Sequence, residues 1–220
     1  MDKTIISQLQ AAGKYIFDSQ LTWGTSGNLS CRLAVDHLII TASGTCLGKL
    51  GDADFLECDL HGNVIEGSGK PSVELPFHRE IYLARPDVNV ILHTSPFYAT
   101  LIACSEITIP NNLFIECMYY LERVEWVPYA HPGSQELASM IRNQITHSNV
   151  LMLRNHGVVV VDDSLGEALA ALNILNIVCK MLVETRRSEI TLKGISPEQV
   201  QSFLEKEIYR PRRRFESGDD

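Results

Sequence analysis

Three stretches lying far apart in the chain each set a carboxylate or an imidazole beside a proline or a glycine. They are Lys70-Pro71-Ser72-Val73-Glu74-Leu75-Pro76-Phe77-His78, Ile91-Leu92-His93-Thr94-Ser95-Pro96 and Leu153-Arg154-Asn155-His156-Gly157. A divalent cation that polarises a substrate oxygen needs ligands of these types held at fixed angles. Read as one metal site, the three stretches demand a fold that brings them together. Two loops of phosphate-binding character precede them, Gly24-Thr25-Ser26-Gly27-Asn28 and Thr41-Ala42-Ser43-Gly44. A metal site and phosphate loops in one chain imply chemistry on a small phosphorylated carbonyl compound.

The length of 220 residues suits one domain, and 45% apolar residues are enough for a proper core. The formal charge of −8 argues against a nucleic-acid partner, which would select a basic surface. The basic cluster Arg210-Pro211-Arg212-Arg213-Arg214 is followed by Glu216, Asp219 and Asp220. It reads as a solvated tail or as an arginine folding back over a phosphate. Six cysteines, Cys31, Cys46, Cys58, Cys104, Cys117 and Cys179, include no C-x-x-C pair, and reduced, mostly buried thiols are expected. The N-terminal residues have no basic region followed by an apolar stretch, and no run approaches the ~20 apolar residues of a membrane span. The expectation is a cytoplasmic protein with no membrane partner.

Apolar spacing predicts a helix over 4–20, ended by the glycine-rich stretch 24–28. Short strands are expected at 29–33 and 37–41, with a further hairpin at 55–58 and 63–65. A helix over 74–85 leads to a buried strand at 88–93 and a helix at 96–104 that opens after Pro96. Beyond these come a helix at 113–121, a strand at 124–128, and a helix at 134–143 capped by Ser134. Strands at 150–154 and 158–161 flank Asn155-His156-Gly157. The longest helix spans 164–187, capped by Ser164 with Glu167 three residues on. A last helix starts at Ser196-Pro197-Glu198. The hairpins suggest a largely antiparallel sheet with helices on its faces. No repeat or linker is visible, so residues 1–220 read as a single domain with a C-terminal helix or tail after about 195.

Each candidate ligand has a plainer reading. His93, at the end of an apolar strand, is as readily a hydrogen-bonded core histidine. His156 gains from Gly157, which allows an unusual backbone angle. Glu74, between Pro71 and Pro76, suits the first turn of a helix on dipole grounds alone. Only the combination carries weight.

That combination resembles the class II aldolase/adducin family over roughly residues 5–185, with the segments in family order. Gly24-Thr25-Ser26-Gly27-Asn28-Leu29-Ser30 is similar to its first phosphate loop and Ile40-Thr41-Ala42-Ser43-Gly44 to its second. Ser72 to His78 is similar to the segment with the last phosphate ligands and the catalytic glutamate. Ile81 to Val88 matches the run before the metal strand, and Arg154-Asn155-His156-Gly157 the last metal histidine.

The resemblance implies an α/β fold of three layers, α/β/α, around a mainly antiparallel sheet. It implies a homotetramer with active sites between subunits, and one divalent ion per subunit, Mn2+ or Zn2+. By position, His93 and His156 are metal ligands, and Glu74 is a ligand or the acid/base. Thr25, Gly27, Asn28, Ser43, Gly44 and Ser72 would hold the phosphate. The implied reaction is retro-aldol cleavage of a (deoxy-)ketose 1-phosphate, such as 5-deoxyribulose 1-phosphate or fuculose 1-phosphate, to dihydroxyacetone phosphate and a small aldehyde. Glu74 would return a proton to carbon. An epimerase, dehydratase or decarboxylase of a sugar phosphate shares the scaffold, as does a non-catalytic adducin-like interaction domain.

Two departures stand out. The family usually reads H-T-H where this chain has His93-Thr94-Ser95, and a hydroxyl is a far poorer zinc ligand than an imidazole. Water, His78 or His131 would have to fill that position, and the harder ligand set makes Mn2+ more plausible. Val73 stands where a second serine is common. Tyr119, Tyr120 and Tyr209 are candidates for an assisting tyrosine, with helix packing the alternative for the first two. Phe97, Phe114 and Tyr119 would suit a deoxygenated aldehyde end.

Overall fold

The computed structural model describes residues 1–205. Eight strands form one sheet: β1 (Asn28–Arg32), β2 (His37–Thr41), β3 (Phe55–Asp59), β4 (Val64–Glu66), β5 (Val90–Thr94), β6 (Val124–Val127), β7 (Val150–Leu153) and β8 (Gly157–Asp162). Seven helices surround it: α1 (Lys3–Asp18), α2 (Leu75–Ala84), α3 (Phe97–Ala103), α4 (Ile115–Tyr120), α5 (Gln135–Ile145), α6 (Leu165–Thr185) and α7 (Pro197–Glu205). The strand order is β4-β3-β2-β1-β5-β8-β7-β6. Every pairing is antiparallel except β6 with β7, which is parallel.

Alternation along the strands sorts side chains into two cores. Val90 and Leu92 of β5, Val158 and Val160 of β8, and Val150 and Met152 of β7 face α1, α3, α4 and α6. Ile91, Val159, Val161, Leu151 and Leu153 face α2 and α5. Covered on both sides, β5, β7 and β8 are buried at every residue, which explains their unbroken apolar runs. Each such side chain contributes roughly 1.5–3 kcal/mol on burial. A one-residue slip of β5 would carry His93 through the sheet to the wrong face.

Helix boundaries follow local chemistry. The Ser134 hydroxyl accepts from Leu137 N–H and caps α5, and Ser164 accepts from Glu167 N–H at the start of α6. Helix α2 carries Pro76 in its first turn, where the missing N–H costs nothing. Its far end is pinned by Arg85, 2% exposed, which donates to Ile145 O at 2.8 Å and pairs with Asp87 at 2.8 Å. That clamp sets the direction of α2 and so the position of its N-terminus.

Several expectations change. Helix α1 ends at Asp18, ahead of the glycine-rich stretch, because Gln20 takes up a left-handed conformation with φ 57°. Two 3-10 turns, Leu47–Lys49 and Asp52–Asp54, occupy the connection between β2 and β3. Helix α6, at 21 residues and a mean hydropathy of 1.5, is long and apolar enough to cross a bilayer. Here Ala168, Ala171, Leu172, Leu175, Val178, Cys179 and Val183 bury one side of it in the core. All six cysteines are free; Cys58, Cys117 and Cys179 are buried, Cys31 and Cys46 are half-buried, and Cys104 is exposed. Tyr209, the arginines of 210–214 and the acidic residues after them lie outside the described residues.

Candidate metal centre

At the edge where β5 ends, β1 begins and the β7–β8 hairpin turns, Glu74, His93 and His156 converge. Their ligand atoms all lie within 4.8 Å of one another. Each arrives by a different route. Antiparallel pairing sets His93 opposite Asn28 on one side and Val159 on the other. Glu74 is the residue at which α2 begins, so the helix N-terminus favours its negative charge. His156 sits in the three-residue turn between Leu153 and Gly157, where Asn155 takes φ 56°. Two backbone contacts moor that turn: Arg154 N–H donates to Val127 O and Asn155 N–H to Ala103 O. Gly157 is needed for close approach, because a Cβ there would stand 2.6 Å from Thr94 O.

The contacts fit a cation. His93 Nε2 lies 3.1 Å from Glu74 Oε2, and His156 Nε2 lies 3.2 Å from Glu74 Oε1. Ligand atoms each about 2.1 Å from one ion sit roughly 3 Å apart, which matches this spacing. His93 donates Nδ1–H to Val158 O at 3.0 Å, which fixes its tautomer and leaves the Nε2 lone pair toward the site. Apart from that 3.2 Å approach of His156 Nε2, Glu74 Oε1 is buried without a hydrogen-bond partner, as is His156 Nδ1. A buried carboxylate oxygen left in that state is costly unless something positive satisfies it. The donor set of one carboxylate and two imidazoles suits Zn2+ or Mn2+.

Electrostatics keep the set in its ligating form. Burial pushes His93 down, against the pull of the Glu74 charge, so its imidazole is neutral. Burial alone would raise Glu74, but the adjoining His93 and His156 rings and the hydrogen bonds from His156 and Asn28 outweigh it. The carboxyl is held down at about 2.

Beside the three ligands opens a pocket of about 230 Å³. Thr25, Ser26, Gly27 and Asn28 form one wall, Ala42, Ser43 and Gly44 a second, and Ser72 and Val73 a third. Local pairing assembles them: Ser43 N–H donates to Lys70 O, and Ser72 N–H to Thr41 O. Gly27, with φ 89°, passes so close to β5 that a Cβ would meet His93 O at 2.7 Å. The Ser72 hydroxyl accepts from Glu74 N–H at 3.2 Å and keeps its own proton to donate. The residues lining the pocket include neither lysine nor arginine among the described residues. An anion here would therefore be held by hydroxyls, backbone amides and whatever cation the ligand triad carries.

All nine residues singled out in the sequence line this pocket. One is engaged differently from the simple expectation. The Asn28 amide donates to Glu74 Oε2 at 2.8 Å and accepts from His78 Nε2 at 2.6 Å, so its side chain is committed within the protein. His78 does not reach the ligand triad. It lies one layer deeper, fully buried, and burial pushes it down to about 3 against the pull of Glu74. His131 is exposed and donates to Pro132 O. Tyr119 and Tyr120 pack edge to face on α4, and neither they nor Phe97 and Phe114 line the pocket. Ser95, 2% exposed, shares a 2.8 Å hydrogen bond with Ser26. Ala42, Val73 and Pro132 also line the pocket. Pro132 comes from the turn before α5, in the loop Tyr129-Ala130-His131-Pro132-Gly133-Ser134, which on sequence alone reads as a contributor to the substrate pocket or as a cap for the following helix.

The family model described as Class II Aldolase and Adducin N-terminal domain matches residues 7–183. The chain is 34% identical over 160 residues to a 3-oxo-tetronate 4-phosphate decarboxylase of Haemophilus influenzae, covering 71% of this chain and 76% of that one. It is 34% identical over 167 residues to an L-fuculose phosphate aldolase of Methanococcus maripaludis, covering 76% and 89%. A solved L-fuculose 1-phosphate aldolase shares the fold with a TM-score of 0.83 at 26% identity, over 94% of this chain and 97% of that one.

Proposed function

The chain belongs to the class II aldolase and adducin family, and on that premise we propose that it is a metal-dependent aldolase. Its substrate would be a (deoxy-)ketose 1-phosphate, such as 5-deoxyribulose 1-phosphate or fuculose 1-phosphate, cleaved to dihydroxyacetone phosphate and a small aldehyde. The observation that carries this reading is the meeting of Glu74, His93 and His156 on the rim of a pocket walled by Ser, Thr and Gly.

In this reading His93, His156 and Glu74 hold one Mn2+ or Zn2+ ion per subunit. The ion supplies Lewis acidity toward the substrate's carbonyl oxygen. Thr25, Ser43 and Ser72 donate hydroxyl hydrogen bonds to the phosphate, and Gly27, Asn28 and Gly44 offer backbone N–H groups. Holding the phosphate at one end and the carbonyl at the other fixes the carbon between them against the Glu74 carboxylate. Cleavage releases the proton of the hydroxyl at the breaking bond as that carbon becomes the aldehyde. Glu74, a carboxylate at rest, would carry that proton and return it to the carbon left electron-rich, so that no net proton is consumed. The same reading takes residues 1–220 as one domain of a cytoplasmic homotetramer with sites between subunits, acting on a small sugar phosphate and not on nucleic acid or membrane.

A decarboxylase is the second reading. It is favoured by a relative of equal identity, 34%, that carries that name. Loss of CO2 from a 3-oxo acid phosphate and retro-aldol cleavage both leave an enediolate, so the same donors serve either.

The test is metal content by mass spectrometry on the sample used for a coupled assay of dihydroxyacetone phosphate release. Metal near one per chain, with release abolished by chelator and by Glu74→Gln, is the expected result. Bound metal with CO2 and dihydroxyacetone phosphate released from 3-oxo-tetronate 4-phosphate, and no dihydroxyacetone phosphate released from either ketose 1-phosphate, would replace the aldolase by the decarboxylase.

A further inference from the structure

Behind the ligand triad lies a chain of buried polar groups running through one core of the molecule. Tyr82 Oη is 2.9 Å from Ser30 Oγ, and Ser30 Oγ is 2.7 Å from His78 Nδ1. His78 Nε2 is 2.6 Å from Asn28 Oδ1, and Asn28 Nδ2 is 2.8 Å from Glu74 Oε2. Every member is buried: Tyr82 at 2% exposure, Ser30 and His78 at 0%, Asn28 at 6% and Glu74 at 5%.

Donor and acceptor roles along this chain are forced. A carboxylate only accepts, so Asn28 must present its NH2 to Glu74 and its carbonyl to His78. That carbonyl only accepts, so His78 carries its proton on Nε2. Nδ1 then accepts from Ser30, whose oxygen accepts in turn from Tyr82. Reversing any one link would leave two donors or two acceptors facing each other in a dry core, at the cost of an unmade buried hydrogen bond.

Resting on the metal-site reading above, we propose that His78 is a positioning residue for Glu74. Through Asn28 it ties down Oε2, which His93 Nε2 also faces at 3.1 Å, and so leaves Oε1, approached only by His156 Nε2 at 3.2 Å, as the oxygen offered to the cation and the substrate. The two oxygens of one carboxylate are thereby given different tasks. Phe77 supports the arrangement by stacking on His78 at 4.6 Å and meeting His93 edge-on at 5.6 Å.

The experiment is a Mn2+ titration followed by electron paramagnetic resonance on wild type, His78→Leu and His78→Gln, each below its own melting midpoint. Glutamine keeps an N–H near the position of Nε2, whereas leucine keeps only bulk. Weakening of Mn2+ binding by about 10–100-fold in His78→Leu, with most of it restored in His78→Gln, is expected. In the same proteins kcat should fall in His78→Leu with little change in KM, because the phosphate walls are untouched. Equal Mn2+ affinity in wild type and His78→Leu would overturn the proposal, as would equal loss in both variants, which would mark a packing role. Wild type that binds no Mn2+ would instead sink the metal-dependent reading itself. Nitrogen NMR of the wild type adds an independent arm: the Nδ1–H tautomer at His78 would contradict the proposal whatever the metal does.

Discussion

The hydroxyl oxygens of Ser26 and Ser95 lie 2.8 Å apart, so the residue that follows β5 is fastened to the glycine-rich loop ahead of β1. In the family pattern that position carries an imidazole; here it joins the pocket wall of Thr25 to Asn28 to the end of β5. Ser95→Ala should therefore cost about 1 kcal/mol of stability and raise KM for a phosphorylated substrate, while metal content stays at the wild-type level. Thermal melts, steady-state kinetics and metal analysis on one preparation check all three. Loss of metal in Ser95→Ala would mean that the serine is itself a ligand.

Val73 lines the pocket with 63% of its surface exposed, between Ser72 and Glu74. A hydroxyl at this position would face the anion subsite and bury nothing. Val73→Ser is expected to leave the melting temperature within a degree or so and to lower KM for phosphorylated ketoses by about tenfold or more, the worth of one hydrogen bond to a charged group. An unchanged KM would remove Val73 from the phosphate wall.

Gly27 combines a left-handed φ of 89° with a 2.7 Å limit set by His93 O. Alanine would meet both penalties, roughly 1–2 kcal/mol for the conformation alone, and would press on the strand residue that carries a ligand. Gly27→Ala should lower stability by more than that conformational figure and weaken metal binding together. A protein that loses stability yet keeps its metal affinity would show that β5 does not transmit the displacement.

In the metal-free protein, His78 stays neutral down to about 3 while the unfolded chain takes up a proton at about 6.5. Between those values the unfolded state binds one more proton, so stability increases with pH. It is fully present above about 6.5 and falls by about 1.4 kcal/mol for each unit of acidification below it. His93 is displaced in the same direction and adds to the slope. Glu74, held at about 2, contributes its own loss only below its ordinary carboxylate range. Guanidinium unfolding of chelator-treated protein between about pH 6 and 5 should thus show a steep slope in wild type and a shallower one in His78→Gln. Parallel slopes would mean that His78 titrates alike in both states.

Much of the architecture was open to reading along the chain because its signals are local. The runs at Val90–Leu92 and Val150–Leu153 are apolar because helices cover both faces of those strands. Ser134 and Ser164 mark helix starts because their hydroxyls reach backbone N–H groups three residues on. Pro76 stands in the first turn of α2 just after Glu74 and Gly157 opens β8 just after His156, so each marks an element boundary at which the side chain is presented. The end of α1 was misplaced, since Gln20 gave no sign that it would enter the left-handed region. The parallel pairing of β6 with β7 was equally silent, because pairing direction depends on where α5 carries the chain.

By itself the sequence determined which side chains were available for chemistry, Glu74, His93, His156 and the hydroxyls of two loops, and which turns would present them. Spacing and turn residues act over a few positions, so they are legible without coordinates. Only the tertiary structure decided how those groups are divided. The order β1-β5-β8 sets Asn28 beside His93 and Val159 on its other side, and that register lies outside any local pattern. From it follow the Ser26–Ser95 tie, the commitment of the Asn28 side chain to Glu74, and the burial of His78 behind the site in place of a seat among the ligands. The physical reason is that a hydrogen bond between residues some fifty positions apart depends on sheet register, which the packing of two cores against eight strands selects as a whole.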